Sequence, residues 1–413
     1  MITRGDCETM DRTDALAAAR DRFLLPADVI YLDGNSLGAL PARTAARLAD
    51  AVTQQWGQGL IRSWNAAGWV NLPEQLGRKI AGLLGAADNE VIVADSTSIN
   101  IFKLLAGALT MAGGERGRRV ILSERGNFPT DLYMSQGLNS LLGDIYELRL
   151  VDGNIENAFD ATTAVALITQ VDYCSGRLHD MKRLNAKARE AGTRIVWDLS
   201  HSAGAVPVAL NDDGAELAVG CGYKYLNGGP GAPAFAYLAA TLQRDFPTPL
   251  SGWFGHAAPF AFDTNYRPAP GIERLQCGTP SVLAMLALAV GLETFDGISM
   301  QDLRQKSLRL SDLFWTLMDA HCGPFGFSCV SPRAHADRGS QLSFAHEHAY
   351  PVMQALIDRG VIGDFRQPNL LRFGFTPLYL RFADMYDAVM IIRAVMATEA
   401  WAEPRYAQRN RVT

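Results

Sequence analysis

The sequence predicts an α/β protein: a mostly parallel sheet covered by helices, followed by a smaller α+β unit. Three observations carry that expectation. Short apolar runs recur between Glu90 and Leu238, most of them followed by a stretch with helical spacing. Such alternation builds parallel sheets buried on both faces. From Val282 the alternation stops, and a long helical stretch gives way to mixed strands and helices. At 413 residues the chain is longer than one core usually takes, which suggests two domains.

In chain order, Asp14 to Leu25 reads as an amphipathic helix stopped by Pro26, and Val29 to Leu32 as a short strand. Asp33 to Gly38 is a turn-rich connector that gains interest if it folds over a site, and Pro41 to Trp56 is a second helix. Leu60 to Trp69 is irregular; packing accounts for its Trp64, with an aromatic pocket as the minority alternative. A helix from Pro73 to Leu84 precedes a strand from Glu90 to Ala94, and Asp95-Ser96-Thr97-Ser98 leads into a helix from Ile99 to Met111. Hydroxyls at such a junction either cap the helix or join its free N–H groups in binding an anion. Arg119 to Leu122 is a strand, and Asn127-Phe128-Pro129-Thr130-Asp131 opens the next helix, with Pro129 near its first turn. Phe128 is placed either to pack in the core or to stack on a flat ligand. Ile145 to Leu150 and Ala164 to Thr169 are strands; Asp172-Tyr173-Cys174-Ser175-Gly176 follows the second, then a helix from His179 to Ala191. Further strands are expected at Arg194–Trp197, Ala215–Val219 and Ala234–Leu238. Beyond them come a helical region from Val282 to Ala320, strands at Phe327–Val330, Gln341–Phe344 and around Leu371–Phe373, and helices at Ala349–Arg359 and Ala383–Thr398.

Ligands of open α/β sheets gather at the carboxyl ends of the strands. Ser98, Phe128, Asp172, Asp198 and Lys224 all fall just after expected strands. Asp198 ends one of them, and Lys224 sits in the turn Gly222-Tyr223-Lys224-Tyr225-Leu226-Asn227-Gly228-Gly229-Pro230-Gly231. A strand-end carboxylate and a lysine in a tight turn suggest pyridoxal phosphate: the amine bonds to the aldehyde, and the carboxylate keeps the pyridine nitrogen protonated. The other lysines are Lys79, Lys103, Lys182, Lys187 and Lys306. Lys103 lies in a helical run and the rest read as polar helix faces. Lys224 alone sits between glycines and two tyrosines, where burial would lower its pKa and free an amine to attack. Arg372 lies inside the apolar run Leu371–Phe375, where it needs an anion: a structural ion pair and a substrate carboxylate are equally open.

Formal charge is −5 with acids and bases mixed, which argues against a nucleic-acid or membrane-surface partner. The polar start has no apolar signal-peptide core, and Val282–Leu292, the longest apolar run, is short of the roughly 20 residues that span a bilayer. Six cysteines without paired spacing suggest a reduced, cytoplasmic protein with no metal site.

Read together, Leu32-Asp33-Gly34-Asn35-Ser36-Leu37-Gly38, Ser96-Thr97-Ser98-Ile99-Asn100, Asn127 to Asp131, Trp197-Asp198-Leu199-Ser200-His201-Ser202-Ala203-Gly204, Tyr223 to Gly231, Ser251-Gly252-Trp253-Phe254-Gly255-His256 and Arg372-Phe373-Gly374-Phe375-Thr376-Pro377 resemble the kynureninases, above all the bacterial ones. These are fold-type-I pyridoxal phosphate enzymes of the class V aminotransferase group. The resemblance runs nearly end to end. It implies a seven-stranded-type sheet in a large domain at 46–281, a small domain at 282–413 and an N-terminal arm at 1–45 packed with the small domain. It implies hydrolytic Cβ–Cγ cleavage of L-kynurenine to anthranilate and L-alanine in tryptophan catabolism, with 3-hydroxykynurenine as a second candidate substrate. Lys224 would be the Schiff-base lysine and proton shuttle, Asp198 the pyridine partner, Phe128 the stacking ring and His201 its neighbour. Thr97, Ser98, Tyr223 and Trp253 would hold the phosphate, with Thr279 from a partner subunit of a homodimer. Pro129, Thr130, Asp131, Asp172 and Ser175 would support the cofactor pocket, and Tyr223 would help protonate the last intermediate. Arg372 would bind the substrate carboxylate, and Asn35, Ser36 and Trp64 would face its aromatic end. The rivals are another class V enzyme, a cysteine desulfurase or an aminotransferase, and a non-catalytic nucleotide- or pyridoxal-phosphate-binding protein.

Overall fold

The computed structural model of the protein describes residues 2–113 and 117–409. Seven strands make the central sheet: β1 (Val91–Val93), β2 (Val120–Glu124), β3 (Glu147–Val151), β4 (Thr163–Thr169), β5 (Arg194–Asp198), β6 (Leu217–Gly220) and β7 (Phe235–Leu238). Their order across the sheet is β1, β7, β6, β5, β4, β2, β3. β7 runs antiparallel to both its neighbours, β1 and β6, and the other described pairs are parallel.

Alternation along each strand splits the core in two. Ile121, Val165, Leu167, Val196 and Leu217 pack with Leu104, Leu105 and Leu109 of the helix Thr97–Ala112. Leu122, Ala166, Ile168, Ile195 and Trp197 point the other way, into the core that holds Leu76 and Ile80 of Leu72–Leu84 and Leu184 of Met181–Glu190. Every residue of β4 is buried, which is why its sequence reads as an unbroken apolar run rather than an alternation.

A second sheet follows: β8 (Ser328–Cys329), β9 (Gln341–Ala345), β10 (Asp364–Arg366) and β11 (Leu370–Gly374), antiparallel in the order β10, β11, β9, β8. Phe314 of the helix Met300–Cys322 packs against Phe344, Phe373 and Phe375. The short strand Ile30–Tyr31 pairs with Val361–Ile362, tying the start of the chain to this second unit. Among the described residues no helix is long and apolar enough to cross a membrane.

Three expectations need correction. The helix expected at Asp14–Leu25 is only a short 3-10 segment, Ala17–Arg22, and a full helix, Arg4–Arg12, forms before it. Thr3 and Asp6 close a capping box there, and Asp11 accepts from the Phe382 and Ala383 amides at the start of the helix Phe382–Ala397. The long helical region from Val282 is two helices, Val282–Glu293 and Met300–Cys322. Lys306 is not on a polar face: it is buried and paired with Asp14 at 2.6 Å.

Candidate active site

The loops after the parallel strands build one pocket of about 110 Å³. Asp198 closes β5 at its floor, 4% exposed, with its Oδ1 accepting the Ser200 amide at 2.7 Å. Burial pushes its carboxyl up, as does burial, with the Asp198 charge, for Asp131 in the first turn of the helix Pro129–Leu141. Two neighbouring buried carboxyls create a demand for positive charge. Lys224, in the turn after β6, lines the same pocket. Its Nζ lies 2.9 Å from His201 Nε2 and 5.8 Å from the ring centres of Phe128 and Tyr223. His201 is buried, and desolvation, then the cations of Lys224 and Arg372, hold its pKa well below the ordinary value. It is a neutral imidazole. Lys103, the other lysine near this end, is fully buried and bound to Asp95 at 2.8 Å.

The hydroxyls after β1 divide their work. Ser96 caps the helix Thr97–Ala112 by accepting the Ile99 amide, while Thr97 and Ser98 line the pocket. First-turn N–H groups and the helix dipole make that end an anion site. Pro129 sets the first turn of the next helix, Thr130 lines the wall beside it, and Phe128 meets Tyr173 edge-on at 5.1 Å. An amine, a buried anion, a flat ring and a helix N-terminus are the four contacts pyridoxal phosphate needs, so the donor set fits that group.

Family membership follows from the sequence as a whole. The family model described as Kynureninase C-terminal domain matches residues 303–392. The chain is 54% identical to a kynureninase of Burkholderia mallei and 50% identical to one of Pseudomonas fluorescens, each over 100% of both chains. The chain belongs to the kynureninase family. In fold it is similar to a cysteine desulfurase from Thermococcus onnurineus NA1, with a TM-score of 0.78 and 18% identity over 92% of this chain and 98% of that one. The cysteine desulfurase CsdA from Escherichia coli gives 0.76 and 18%, over 93% and 98%. At that identity the likeness shows the fold alone, which is fold type I.

Around the pocket of this kynureninase family member, several expected residues hold other places. Asp172 Oδ1 accepts both the amide and the hydroxyl of Ser175 at 2.6 Å, closing the turn that presents Tyr173. Trp253 is 42% exposed, donates to the Pro259 carbonyl and packs on Phe254 and Phe260. Trp64 packs on Trp69 and Phe254. Thr279 lines a separate cavity of about 50 Å³ beside Asp95 and Cys277. Trp64, Trp253 and Thr279 therefore do not line the Lys224 pocket of their own chain.

Arg372 is 1% exposed and heavily engaged. Asp364 takes it in a two-pronged ion pair, the Tyr173 carbonyl accepts Nη1 at 2.6 Å, and Ser36 Oγ accepts Nη2 at 2.9 Å. Asn35, with its amide oxygen turned to the guanidinium, accepts from Nε at 2.9 Å. Arg366 shares Asp364 at 2.8 Å. The connector Asp33–Gly38 is a structural part of the site: the Gly38 amide donates to the Tyr223 carbonyl at 2.8 Å, and a Cβ on Gly38 would lie 2.5 Å from the Lys224 carbonyl oxygen. The sequence did not mark Thr169, Tyr173, Ser200, Gln341, Asp364 or Arg366. Tyr173 was within reach of the post-strand rule; the residues of the second sheet were not.

Asp33 gives a pH signature. Burial, then the Asp364 charge, push its carboxyl from 3.8 to about 7. The folded form keeps a proton that the unfolded chain has lost, so this group's contribution to stability declines as pH rises from 3.8 to about 7. Asp33→Asn is expected to flatten that decline. Urea midpoints across this range check it, and an unchanged pH slope would refute it.

Proposed function

We propose that this protein uses pyridoxal phosphate to split L-kynurenine hydrolytically between Cβ and Cγ, yielding anthranilate and L-alanine. The observation that carries it is the Lys224 amine, held by His201 in the pocket floored by Asp198, in a chain 54% identical end to end to a kynureninase. Bound there, the cofactor supplies an electron sink for negative charge developing on substrate carbons next to the amino nitrogen. Lys224 would anchor the aldehyde and, once free, would take the Cα proton on Nζ. His201 Nε2 accepts an N–H from that amine and so orients its lone pair. Asp198 would pair with the pyridine nitrogen and favour its protonated form, which would offset the cost of burying the carboxylate. Thr97 and Ser98, at the helix N-terminus, would hold the phosphate, Phe128 would stack on the ring, and Tyr223, next to Lys224, would serve as a proton donor.

Substrate recognition is assigned to the Arg372 corner. Two guanidiniums share one carboxylate, Asp364, while Asp33 is neutral below about 7. The excess positive charge suits an α-carboxylate. Asn35 and Ser36, expected at the aromatic end, bond the Arg372 guanidinium and so are assigned to this corner instead; Trp64, outside its own chain's pocket, is assigned to the aromatic end through a second copy. A desulfurase needs a reactive thiolate, but Cys174, beside the pocket, has its thiol pushed up by burial. Purified protein with the cofactor and L-kynurenine is expected to release anthranilate, read by fluorescence, and alanine in equal amounts without a keto acid. Alanine that appears only when a keto acid is added would favour an aminotransferase instead.

A homodimer completes the site in this reading. Trp253, Phe260 and Phe262 form an exposed aromatic patch, with Phe262 75% exposed, and Thr279 lies outside its own chain's pocket. Both features support a second copy that supplies Thr279 to the phosphate end. Mixed dimers of Lys224→Ala and Thr279→Ala subunits are expected to regain activity that neither parent has. No gain on mixing, with both parents dimeric by light scattering, would refute the shared site. Cytoplasmic location is proposed from the free cysteines.

A further inference from the structure

We propose that Gln341 is a positioning residue for Lys224: it locks His201 in the Nδ1–H tautomer, leaving Nε2 bare to hold the lysine amine in one orientation. Gln341 lies on β9 and is 1% exposed. Its Nε2 donates to the Tyr173 carbonyl at 3.0 Å and the Asp172 carbonyl at 3.4 Å. Carbonyls only accept, so these two bonds settle which end of the amide is nitrogen. The other end, Oε1, then faces His201 Nδ1 at 3.1 Å. An amide oxygen also only accepts, so Nδ1 carries the hydrogen. In a neutral imidazole that leaves Nε2 as the acceptor, and Lys224 Nζ stands there at 2.9 Å.

The surroundings keep the lock in place. Lys224, Arg372 and Arg366 all disfavour a second proton on the buried ring. Gly176, at φ +73°, presses its backbone on the glutamine stem: a Cβ there would come within 2.8 Å of Gln341 Cγ. The glutamine comes from the second sheet, whereas His201 and Lys224 follow strands of the central one. The relay therefore closes only when the two units are docked.

The proposal rests on Lys224 as the cofactor-bearing lysine, yet its first test needs no cofactor. In the cofactor-free protein, ring ¹⁵N shifts of His201, assigned by their loss in His201→Asn, are expected to show protonated Nδ1 and bare Nε2. Gln341→Met keeps the length but removes the acceptor, and is expected to populate the Nε2–H tautomer. Protonated Nε2 in the native protein, or an unchanged tautomer in Gln341→Met, would overturn the proposal. If Gln341→Met does not fold, Gln341→Glu serves: its carboxylate is expected to raise the pH at which His201 titrates, and an unmoved titration is equally fatal. In the loaded enzyme, Gln341→Met is expected to lower kcat on the order of tenfold to a hundredfold, with little change in KM. A change confined to KM would place Gln341 in substrate binding instead. Failure of native protein to take up pyridoxal phosphate would sink the cofactor reading alone and leave the tautomer result standing.

Discussion

Lys224→Ala is expected to purify without covalently held cofactor and with kcat lowered on the order of 10²–10⁴-fold. Two losses combine. The alanine cannot form the carbon–nitrogen bond that anchors the aldehyde, and among the described pocket residues no strong base takes its place. His201, whose Nε2 lies 2.9 Å from the lysine amine, is a weak base, because burial and, with Lys224 removed, the Arg372 charge hold its pKa well below the ordinary value. Lys103 cannot substitute, because it is buried against Asp95 and the Leu275 carbonyl. The measurement is borohydride reduction followed by mass spectrometry of the 224 peptide. Cofactor still trapped at full stoichiometry in the alanine variant would remove Lys224 from the anchor role. A small exogenous amine is expected to restore part of the rate, since the defect is a missing base in an otherwise intact pocket.

Much of that pocket was legible because a parallel sheet sends every strand's carboxyl end to one edge. Ser98, Phe128, Asp198 and Lys224 each follow an expected strand and line the cavity; Asp172, placed by the same rule, instead closes the turn before Gly176 through Ser175, and Asp131 was indicated only by the family resemblance. Gln341 and Asp364 could not be read in the same way. Gln341 reaches the site across the boundary between two sheets, whereas Asp364 acts through Arg372 of its own sheet, and the residues around each carry only strand periodicity. Lys306 was misplaced for a related reason: helical spacing assigns a face but not what covers it, and Asp14 covers it. The first helix escaped because it buries only Cys7, so no apolar period marks it. Its stability comes from the Thr3–Asp6 cap and from Asp11 capping a helix near the other end of the chain.

The Arg372 corner sets stability against recognition, and substitution separates them. Burial works against the Asp364 charge, but the Arg372 guanidinium, with Arg366, overcomes it and holds the carboxyl below its usual value. That stabilisation is present above the unfolded carboxylate pKa and is lost as pH falls through the folded one. Removing one partner of such a buried pair costs about 3–5 kcal/mol, chiefly through the charge left behind. Arg372→Ala leaves Asp364 with Arg366 still at 2.8 Å, so its cost is expected near the bottom of that range. Asp364→Ala leaves two guanidiniums facing each other, one of them only 1% exposed, and is expected to cost more. The double variant is expected to lose less than the sum, because each single change has already stranded the other's charge. Chemical denaturation of the three variants gives the ordering, and Arg372→Ala proving the costlier single change would refute the account. Kinetics supply the other half. If Arg372 also receives the substrate carboxylate, Arg372→Ala raises KM for kynurenine even under conditions where it is fully folded, whereas an unchanged KM confines this arginine to holding Asp364, Ser36 and the Tyr173 turn in place.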